Sequence, residues 1–341
     1  MSAPDDRLAQ AKAEPLHPPV PGWAKALLVL GAVAVFAAPL ATQNSHQLHV
    51  LITIFLYAAM AQSWNIMAGF SGQISLGHAA FFGLGAYATG VLYAHYGVTP
   101  WVGAVVGVAL SVLAAAFIGV ATLRLKGHHF TLATLLVGFS LQIVFARWEW
   151  VGAASGLLLP LDRANPWWSL QFFGSKTPYY GMAATLAAGA TLVAWALGRS
   201  RLGYRLQAIR HEPDAAASLG VRVARDKVVA FAISAALMSV SGSFLSVYLL
   251  SLDPERFFSV ELSAMVVLVT VLGGCGTVLG PIVGALILVP LQEYARGLFG
   301  GTGRAADLLI YGALILAICV WRPAGVLSLL GERLRRRERA A

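Results

Sequence analysis

Ten apolar stretches, each close to the length of a bilayer-spanning helix, dominate this sequence. A helix needs about 20 mostly apolar residues to cross a bilayer. The chain is 58% hydrophobic and 11% charged, whereas soluble domains carry about 25% charged residues. The pattern predicts an all-α, polytopic membrane protein with about 10 transmembrane helices. The expected spans lie near residues 23–41, 48–68, 73–94, 100–122, 128–146, 179–198, 227–250, 259–275, 280–299 and 306–321.

The expected helices form one membrane domain at residues 22–322, with a polar tail on each side. Residues 1–21 are polar and rich in proline, which favours a disordered tail. Residues 323–341 end in the basic run GERLRRRERAA, which is suited to lie near anionic lipid. Two long loops interrupt the domain, at residues 147–178 and 199–226.

The distribution of Lys and Arg sets the expected orientation. With the N-terminus inside, 18 of the 24 Lys and Arg residues fall in inner segments and 6 in outer ones. Cytoplasmic loops normally carry this excess. We therefore expect both termini and loop 199–226 in the cytoplasm, and loop 147–178, the outer loop, on the opposite face. The same bias explains the net charge of +9 without a nucleic-acid partner.

A polar, glycine-rich segment interrupts the apolar pattern at residues 69–90, GFSGQISLGHAAFFGLGAYATG. In hydrocarbon, an unpartnered polar group is costly, so such a segment either packs closely against other helices or lines a wet passage. We expect the polar side chains of this region to lie along a translocation path or in the helix contacts that support it. They are Asn65, Ser71, Gln73, Ser75 and His78.

Gly72 predicts a break in the chain, with a new helix starting near Gln73. Ser75 and His78 would then share one face of that helix. If the helix began within the bilayer, its free N–H groups would offer a site for a substrate carboxylate. The span at 48–68 already has the length to cross the bilayer, which favours a turn at the cytoplasmic interface instead.

Loop 199–226 contains the signals of a short helix over residues 213–219. Pro213 suits the first helical position, and Gly220 suits the left-handed conformation that ends a helix. A helix of about two turns is too short to be stable alone in water. It must therefore pack on another surface, and its small residues would let it lie deep in a partner's groove. The alternative is a plain basic loop that is held inside by its charge.

The sequence lacks the motifs of a nucleotide-driven motor or a hydrolase. The dipeptide Gly-Lys does not occur, so there is no P-loop, and HExxH, GxSxG and CxxC are also absent. The two cysteines, Cys275 and Cys319, lie singly in apolar or glycine-rich segments. We expect a non-catalytic protein with no cofactor and no metal.

Three segments resemble landmarks of the LivH/LivM permeases of branched-chain amino acid ABC importers. The chain is most similar to the LivM side, and the resemblance covers residues 48–322. The segments are 64–90, the run GYRLQAIR at 203–210 with the residues that follow it to 220, and VLGGCGTVLGPIVGA at 271–285.

The resemblance implies a permease of the bacterial inner membrane with a helix bundle like that of type II ABC importers. A periplasmic binding protein would deliver branched-chain amino acids to this chain and a second, LivH-like permease. Two cytoplasmic ATPase subunits would drive transport. Loop 199–226, the coupling loop, would dock an ATPase subunit, with Ala216 facing into the subunit's groove and charged residues at the rim of the contact. The coupling residues would be Gly203, Arg210, Glu212, Asp214, Ala216 and Gly220.

Several alternatives stay open at this stage. Within the importer class, the substrate is a branched-chain amino acid, or else urea, a short amide, another amino acid, an aromatic acid or a simple sugar. Outside it, the chain is an ion-coupled carrier or a polytopic membrane enzyme. Scarce carboxylates within the spans disfavour the carrier, and the enzyme lacks a catalytic cluster. The outer loop either faces the binding protein or is a surface connector that dips into the lipid headgroups.

Overall fold

The computed structural model describes residues 44–122, 128–162 and 165–299. The expected spans near 23–41 and 306–321, both polar tails and Arg163 lie outside these residues. The described part is almost entirely helical, which confirms the predicted fold class. Its helices are α1 (Ser45–Asn65), α2 (His78–Tyr96), α3 (Pro100–Thr122), α4 (His128–Arg147), α5 (Pro166–Ser169), α6 (Thr177–Arg199), α7 (Arg201–His211), α8 (Pro213–Ser218), α9 (Val223–Leu249), α10 (Pro254–Phe257), α11 (Val260–Gly273) and α12 (Gly280–Phe299).

Helix α1 continues as a π-helix over Ile66–Phe70, and 3-10 turns cover Glu149–Val151 and Ala153–Ser155. Two short strands, β1 (Leu157–Leu158) and β2 (Ser251–Leu252), pair antiparallel. Sequence periodicity did not predict these strands, because two residues carry no alternating pattern. They join the outer loop to the segment that follows α9.

Six helical segments of the described chain are long and apolar enough to cross a membrane. They are α1 with its π-helical end, α3, α4, α6, α9, and α10 taken together with α11. Helix α2 is richer in small and polar residues, and the apolar part of α12 is shorter. The expected total of about ten spans is therefore not confirmed by the described residues.

Helices α2, α3 and α9 pack at very short distances through small residues. A Cβ atom built on Gly85 of α2 would overlap the Ser239 carbonyl of α9, and one on Gly107 of α3 would lie 2.9 Å from the Gly85 Cα. On Gly242 of α9, a Cβ would overlap the carbonyl of Phe82. Small residues let the helix backbones approach this closely. The close approach adds dispersion contacts, which stabilise helix packing in lipid, where the hydrophobic effect does not drive helices together.

A second group of helices packs beside this one, formed by α1, α6, α11 and α12. Helix α9 contacts both groups and so joins them. The core between α1, α6, α11 and α12 is aliphatic and rich in alanine. Its buried side chains include Ile54, Ala58, Ala187, Val269, Leu272 and Val289.

Helices α3 and α4 present apolar side chains outward. Phe117 of α3 is 80% exposed and Leu136 of α4 is 63% exposed. Only small or aromatic residues of these two helices, such as Gly107 and Phe145, turn inward. A face of this kind is unfavourable in water and suits contact with lipid.

Candidate functional site

The expected helix start near Gln73 is wrong, because α2 begins at His78. The chain between α1 and α2 turns at Gly72, where φ is +72°, a conformation that favours glycine. Residues 72–77 are not helical. The argument that Ser75 and His78 share a helix face therefore does not apply, although the two side chains do meet.

Side chains of neighbouring helices replace the helical hydrogen bonds in this irregular segment. The Trp64 indole Nε1 of α1 donates to the Ser75 carbonyl at 2.7 Å, and Thr131 Oγ1 of α4 donates to the Ile74 carbonyl at 2.8 Å. A buried backbone polar group needs such a partner. The segment between Gly72 and His78 can therefore stay non-helical, because α1 and α4 supply hydrogen bonds to its backbone.

His78 lies at the centre of a buried polar network. Ser234 Oγ of α9 donates to the Ser63 carbonyl of α1 at 2.7 Å, so it accepts from His78 Nε2, which lies 2.8 Å away. His78 Nδ1 then accepts from Ser75 Oγ at 3.0 Å. We assign the neutral Nε2–H tautomer, which satisfies both ring nitrogens. His78 is fully buried and acts here as a packing residue between α1, α2 and α9.

Asn65 links α1 to the loop between α11 and α12. Its Nδ2 donates to the Thr277 carbonyl at 2.9 Å, and its Oδ1 accepts from the Gly276 N–H at 2.7 Å. A Cβ on Gly69 would overlap the Asn65 Oδ1, so glycine is required there for the loop to approach. Asn65 is fully buried. Its amide connects the segment at 64–90 with the segment at 271–285.

The two other expected path residues differ in their surroundings. Ser71 is buried, and its Oγ donates to the Met67 carbonyl one turn back at 2.6 Å. Gln73 is half-buried in the irregular segment. Four of the five expected residues are thus enclosed by this chain's own helices, and only Gln73 is partly accessible.

Arg210 of α7 reaches the same place from the coupling loop. Its Nη1 donates to the Gly69 carbonyl at the end of α1. A Cβ on Gly72 would lie 3.1 Å from the Arg210 Cγ, and one on Gly276 would overlap the guanidinium. Three glycines therefore lie against this side chain, while the residue as a whole stays exposed. The sequence had placed Arg210 at the rim of a docking surface and missed this contact, for which the only available signal was the glycine content of both segments.

The coupling loop holds two helices, α7 and α8, where the sequence predicted one short helix. Ser200 Oγ caps α7 by accepting from the Gly203 N–H at 3.1 Å. A Cβ on Gly203 would overlap the Leu197 carbonyl, so the turn from α6 into α7 depends on glycine here. The Arg205 guanidinium then donates from Nε and Nη2 to the two carboxylate oxygens of Asp226 at the start of α9, at 2.7 and 3.3 Å. These contacts hold α7 against the membrane helices.

The expected orientation of Ala216 is wrong. Helix α8 packs on α7 and α9, and Ala216 is 3% exposed, so it faces this chain and not a partner's groove. The helix ends as predicted, with Gly220 at φ +87° and the Val221 N–H donating to the Ala216 carbonyl at 3.1 Å. The outward side chain is Leu219, which is 87% exposed. Glu212 and Asp214 are exposed beside it.

Exposed aromatic rings cover the outer loop and its neighbours. Trp167 and Trp168 of α5 are 68% and 57% exposed. Their backbone is anchored to the start of α3, where Thr99 Oγ1 donates to the Trp168 carbonyl at 2.7 Å. Arg147 and Glu149 add exposed charges at the end of α4. Among the described residues, no group of His, Cys, Asp and Glu could hold a metal ion.

The described helices fit a membrane bundle in which the coupling loop is hydrogen-bonded to the end of α1 and the start of α9. The family described as branched-chain amino acid transport system, permease component, matches residues 47–319. The chain belongs to this family. All three segments that carry the resemblance lie within the matched region. This permease is therefore a multi-pass protein of the inner membrane, and its family works in ABC importers with ATPase and binding-protein partners.

Characterised relatives cover different shares of this permease. LivM of Escherichia coli K12, a high-affinity branched-chain amino acid transport permease, is 28% identical over 337 residues, which cover 93% of this chain and 77% of LivM. BraD of Pseudomonas aeruginosa, with the same described role, is 29% identical over 132 residues, or 39% of this chain and 41% of BraD. XylH of Escherichia coli K12, a xylose transport permease, is 27% identical over 180 residues, or 46% of this chain and 45% of XylH. No solved structure matches the chain.

Proposed function

We propose that this permease forms part of the translocation pathway of an ATP-driven importer for branched-chain amino acids. The observation that carries the proposal is the similarity to LivM, which extends over 93% of the chain. Similarity to the xylose permease covers only 46% of it. Leucine, isoleucine and valine are therefore the favoured cargo, ahead of urea, short amides or other amino acids.

The other components follow from the division of labour in this importer class. A second, LivH-like permease completes the pathway, two cytoplasmic ATPase subunits hydrolyse ATP, and a periplasmic binding protein delivers the substrate. The permease itself is not catalytic. The Lys and Arg bias supports a cytoplasmic location for both termini and the coupling loop. In that orientation Leu219 faces the ATPase subunits, and Glu212 and Asp214 lie at the rim of the contact.

Most of the polar residues near the end of α1 stabilise contacts within the permease and do not line the pathway. Asn65, Ser71, Ser75 and His78 are buried within this chain. Ser75 and His78 join α2 to α1 and α9 through Ser234, and Asn65 ties α1 to the α11–α12 loop. Gln73 is the one of the five that is partly accessible. We infer that the Gln73 side chain contacts solvent or cargo at the inner end of the pathway, where the chain turns at Gly72 beside the coupling loop.

An ion-coupled carrier is less consistent with the described helices. Among the described residues, the membrane helices hold four carboxylates: Asp226, Glu255 and Glu261 in the first turns of α9, α10 and α11, and Glu293 in the last two turns of α12. Asp226 is already paired with Arg205. A carrier normally needs ionisable groups deep in the membrane.

Competition between substrates tests the cargo. Proteoliposomes that contain this permease, its companion permease and the ATPase subunits should take up labelled leucine when the binding protein and internal ATP are supplied. Unlabelled isoleucine and valine should suppress this uptake, and equal concentrations of urea, acetamide or xylose should not. Suppression by urea or xylose alone would overturn the assignment of the cargo.

The outer loop should contribute to the surface that receives the binding protein. Arg163 lies outside the described residues, and Lys176 donates to the Ser45 carbonyl at 3.2 Å. Charge reversal at Lys176 would therefore also disturb the start of α1. The exposed pair Arg147 and Glu149 is a cleaner target, because charges at the rim of a contact act mainly on encounter rates.

Replacing Arg147 with glutamate should raise the binding-protein concentration needed for half-maximal ATPase stimulation about two- to fivefold, as expected for one exposed ion pair. The effect should shrink as salt increases. Basal ATPase activity should stay unchanged, and Arg147→Gln should give a smaller shift in the same direction. An unchanged half-maximal concentration at every salt level would exclude this part of the outer loop.

A further inference from the structure

Arg210 occupies a position between the coupling helix and the membrane bundle. It is the next-to-last residue of α7, and α8 begins three residues later at Pro213. Leu219, the most exposed large hydrophobic side chain described in this loop, follows directly after α8. Movement of an ATPase subunit docked on α8 would therefore reach Arg210 through a short and ordered piece of chain.

The Arg210 guanidinium acts on the end of α1. The last carbonyls of a helix have no partner within the helix, and they carry the negative end of its dipole. Arg210 Nη1 donates to one of these carbonyls, that of Gly69. The charge and the hydrogen bond favour the same contact, and a hydrogen bond from a charged donor is among the stronger ones.

The same side chain also contacts the loop between α11 and α12. A Cβ on Gly276 would overlap the Arg210 guanidinium, so this loop lies directly against it. Gly276 has φ of +88° and donates its N–H to Asn65, and Asn65 donates to Thr277. Arg210 and Asn65 therefore join α1, α7 and the α11–α12 loop at one point, the Arg210 junction, formed by Asn65, Gly69, Gly72, Arg210 and Gly276.

We propose that Arg210 is a positioning residue that transmits movement of the docked coupling loop to the end of α1 and to the α11–α12 loop. The inference rests on the proposed importer function and adds the route of coupling to it. Arg210 does not contact cargo or ATP in this role. It acts by keeping Gly69 and Gly276 at fixed distances from α7, so that the three segments move together.

The test compares Arg210→Gln and Arg210→Lys with the wild-type permease in the complete importer. The matched control is Arg201→Gln, since Arg201 is exposed like Arg210 but lies at the other end of α7, away from the junction. Three quantities are measured: the ATPase subunits retained on purification, the ATP hydrolysis rate, and the amount of leucine taken up per ATP hydrolysed. Hydrogen exchange of the backbone at 272–279 is measured on the permease alone, so this readout does not depend on transport.

Arg210→Gln should retain the ATPase subunits and basal hydrolysis but lower uptake per ATP about tenfold, the scale of one lost charge-assisted hydrogen bond. It should also speed hydrogen exchange at 272–279. Arg210→Lys keeps the charge near the Gly69 carbonyl and should restore part of the uptake. Arg201→Gln should behave like the wild type in all four measurements.

Two results would overturn the inference. Wild-type uptake per ATP in Arg210→Gln would show that the junction does not transmit movement. Loss of ATPase subunits in proportion to the loss of uptake would show that Arg210 serves docking or folding. Failure of the proposed importer function is distinguishable from both, because the wild-type assembly itself would then show no ATP-dependent uptake.

Discussion

Replacing Leu219 with glutamate is expected to release the ATPase subunits from this permease. Leu219 is 87% exposed, directly follows α8 and lies in the loop assigned to the cytoplasm. Full burial of a leucine side chain in a partner's groove stabilises a contact by about 1.5–3 kcal/mol, or roughly 10- to 150-fold in affinity. Glutamate loses this contribution and adds the cost of burying a charge.

The affinity between the purified permease pair and the ATPase subunits measures this effect directly. Leu219→Ala should weaken binding by part of the same factor, since it removes apolar area without adding charge. The control is Leu161→Glu in the outer loop, where the leucine is 62% exposed. That variant should retain the ATPase subunits. Equal affinity for Leu219→Glu and the wild type would place the docking surface elsewhere.

The structure also changes what a substitution at Ala216 would report. With Ala216 facing a partner's groove, as the sequence suggested, a tryptophan at this position would block docking and leave the permease intact. Because Ala216 packs on α7 and α9 in its own chain, a tryptophan there would overpack the permease itself. Leu219 is the better probe of docking, since its side chain makes few contacts within the chain.

Replacing Gly242 with valine is expected to prevent stable packing of α2, α3 and α9. A Cβ on Gly242 would overlap the carbonyl of Phe82, and backbone atoms of a packed helix cannot move aside like a flexible side chain. Overpacking costs about 1–3 kcal/mol where the surroundings relax, and more where they do not. We expect aggregation on purification or a melting temperature lowered by many degrees.

Gly189 of α6 offers a matched control for this substitution. It is also a glycine within a long membrane helix, but no atom lies within 4 Å of a Cβ built on it. Gly189→Val should keep the melting temperature and the monodisperse elution profile of the wild-type permease. Equal melting temperatures for the two valine variants would contradict the close packing of α9 against α2.

The sequence predicts the parts of this fold that depend on composition and local signals. Apolar length indicates the bounds of the long described helices to within a few residues, with the largest differences at the starts of α2 and α9. The capping pattern around Pro213 and Gly220 predicts α8, because both residues act through their own backbone. The burial of Ala216 does not follow from the same signals, since it depends on how α7 and α9 are placed.

The polar contacts could not be predicted because they join distant parts of the chain. Ser63 meets Ser234 across 171 residues, and Arg210 meets Gly69 across 141 residues. No local pattern marks such pairs. The start of α2 was missed for the same reason, since Thr131 and Trp64 supply the hydrogen bonds that keep residues 72–77 out of a helix.

The energy source for leucine uptake tests the central claim most directly. Proteoliposomes with the complete assembly are loaded with ATP or with a non-hydrolysable analogue, and proton and sodium gradients are collapsed with ionophores. The importer function predicts uptake that requires hydrolysable ATP and the external binding protein and that persists without ion gradients. Uptake that continues without ATP but stops when an ion gradient is collapsed would contradict it.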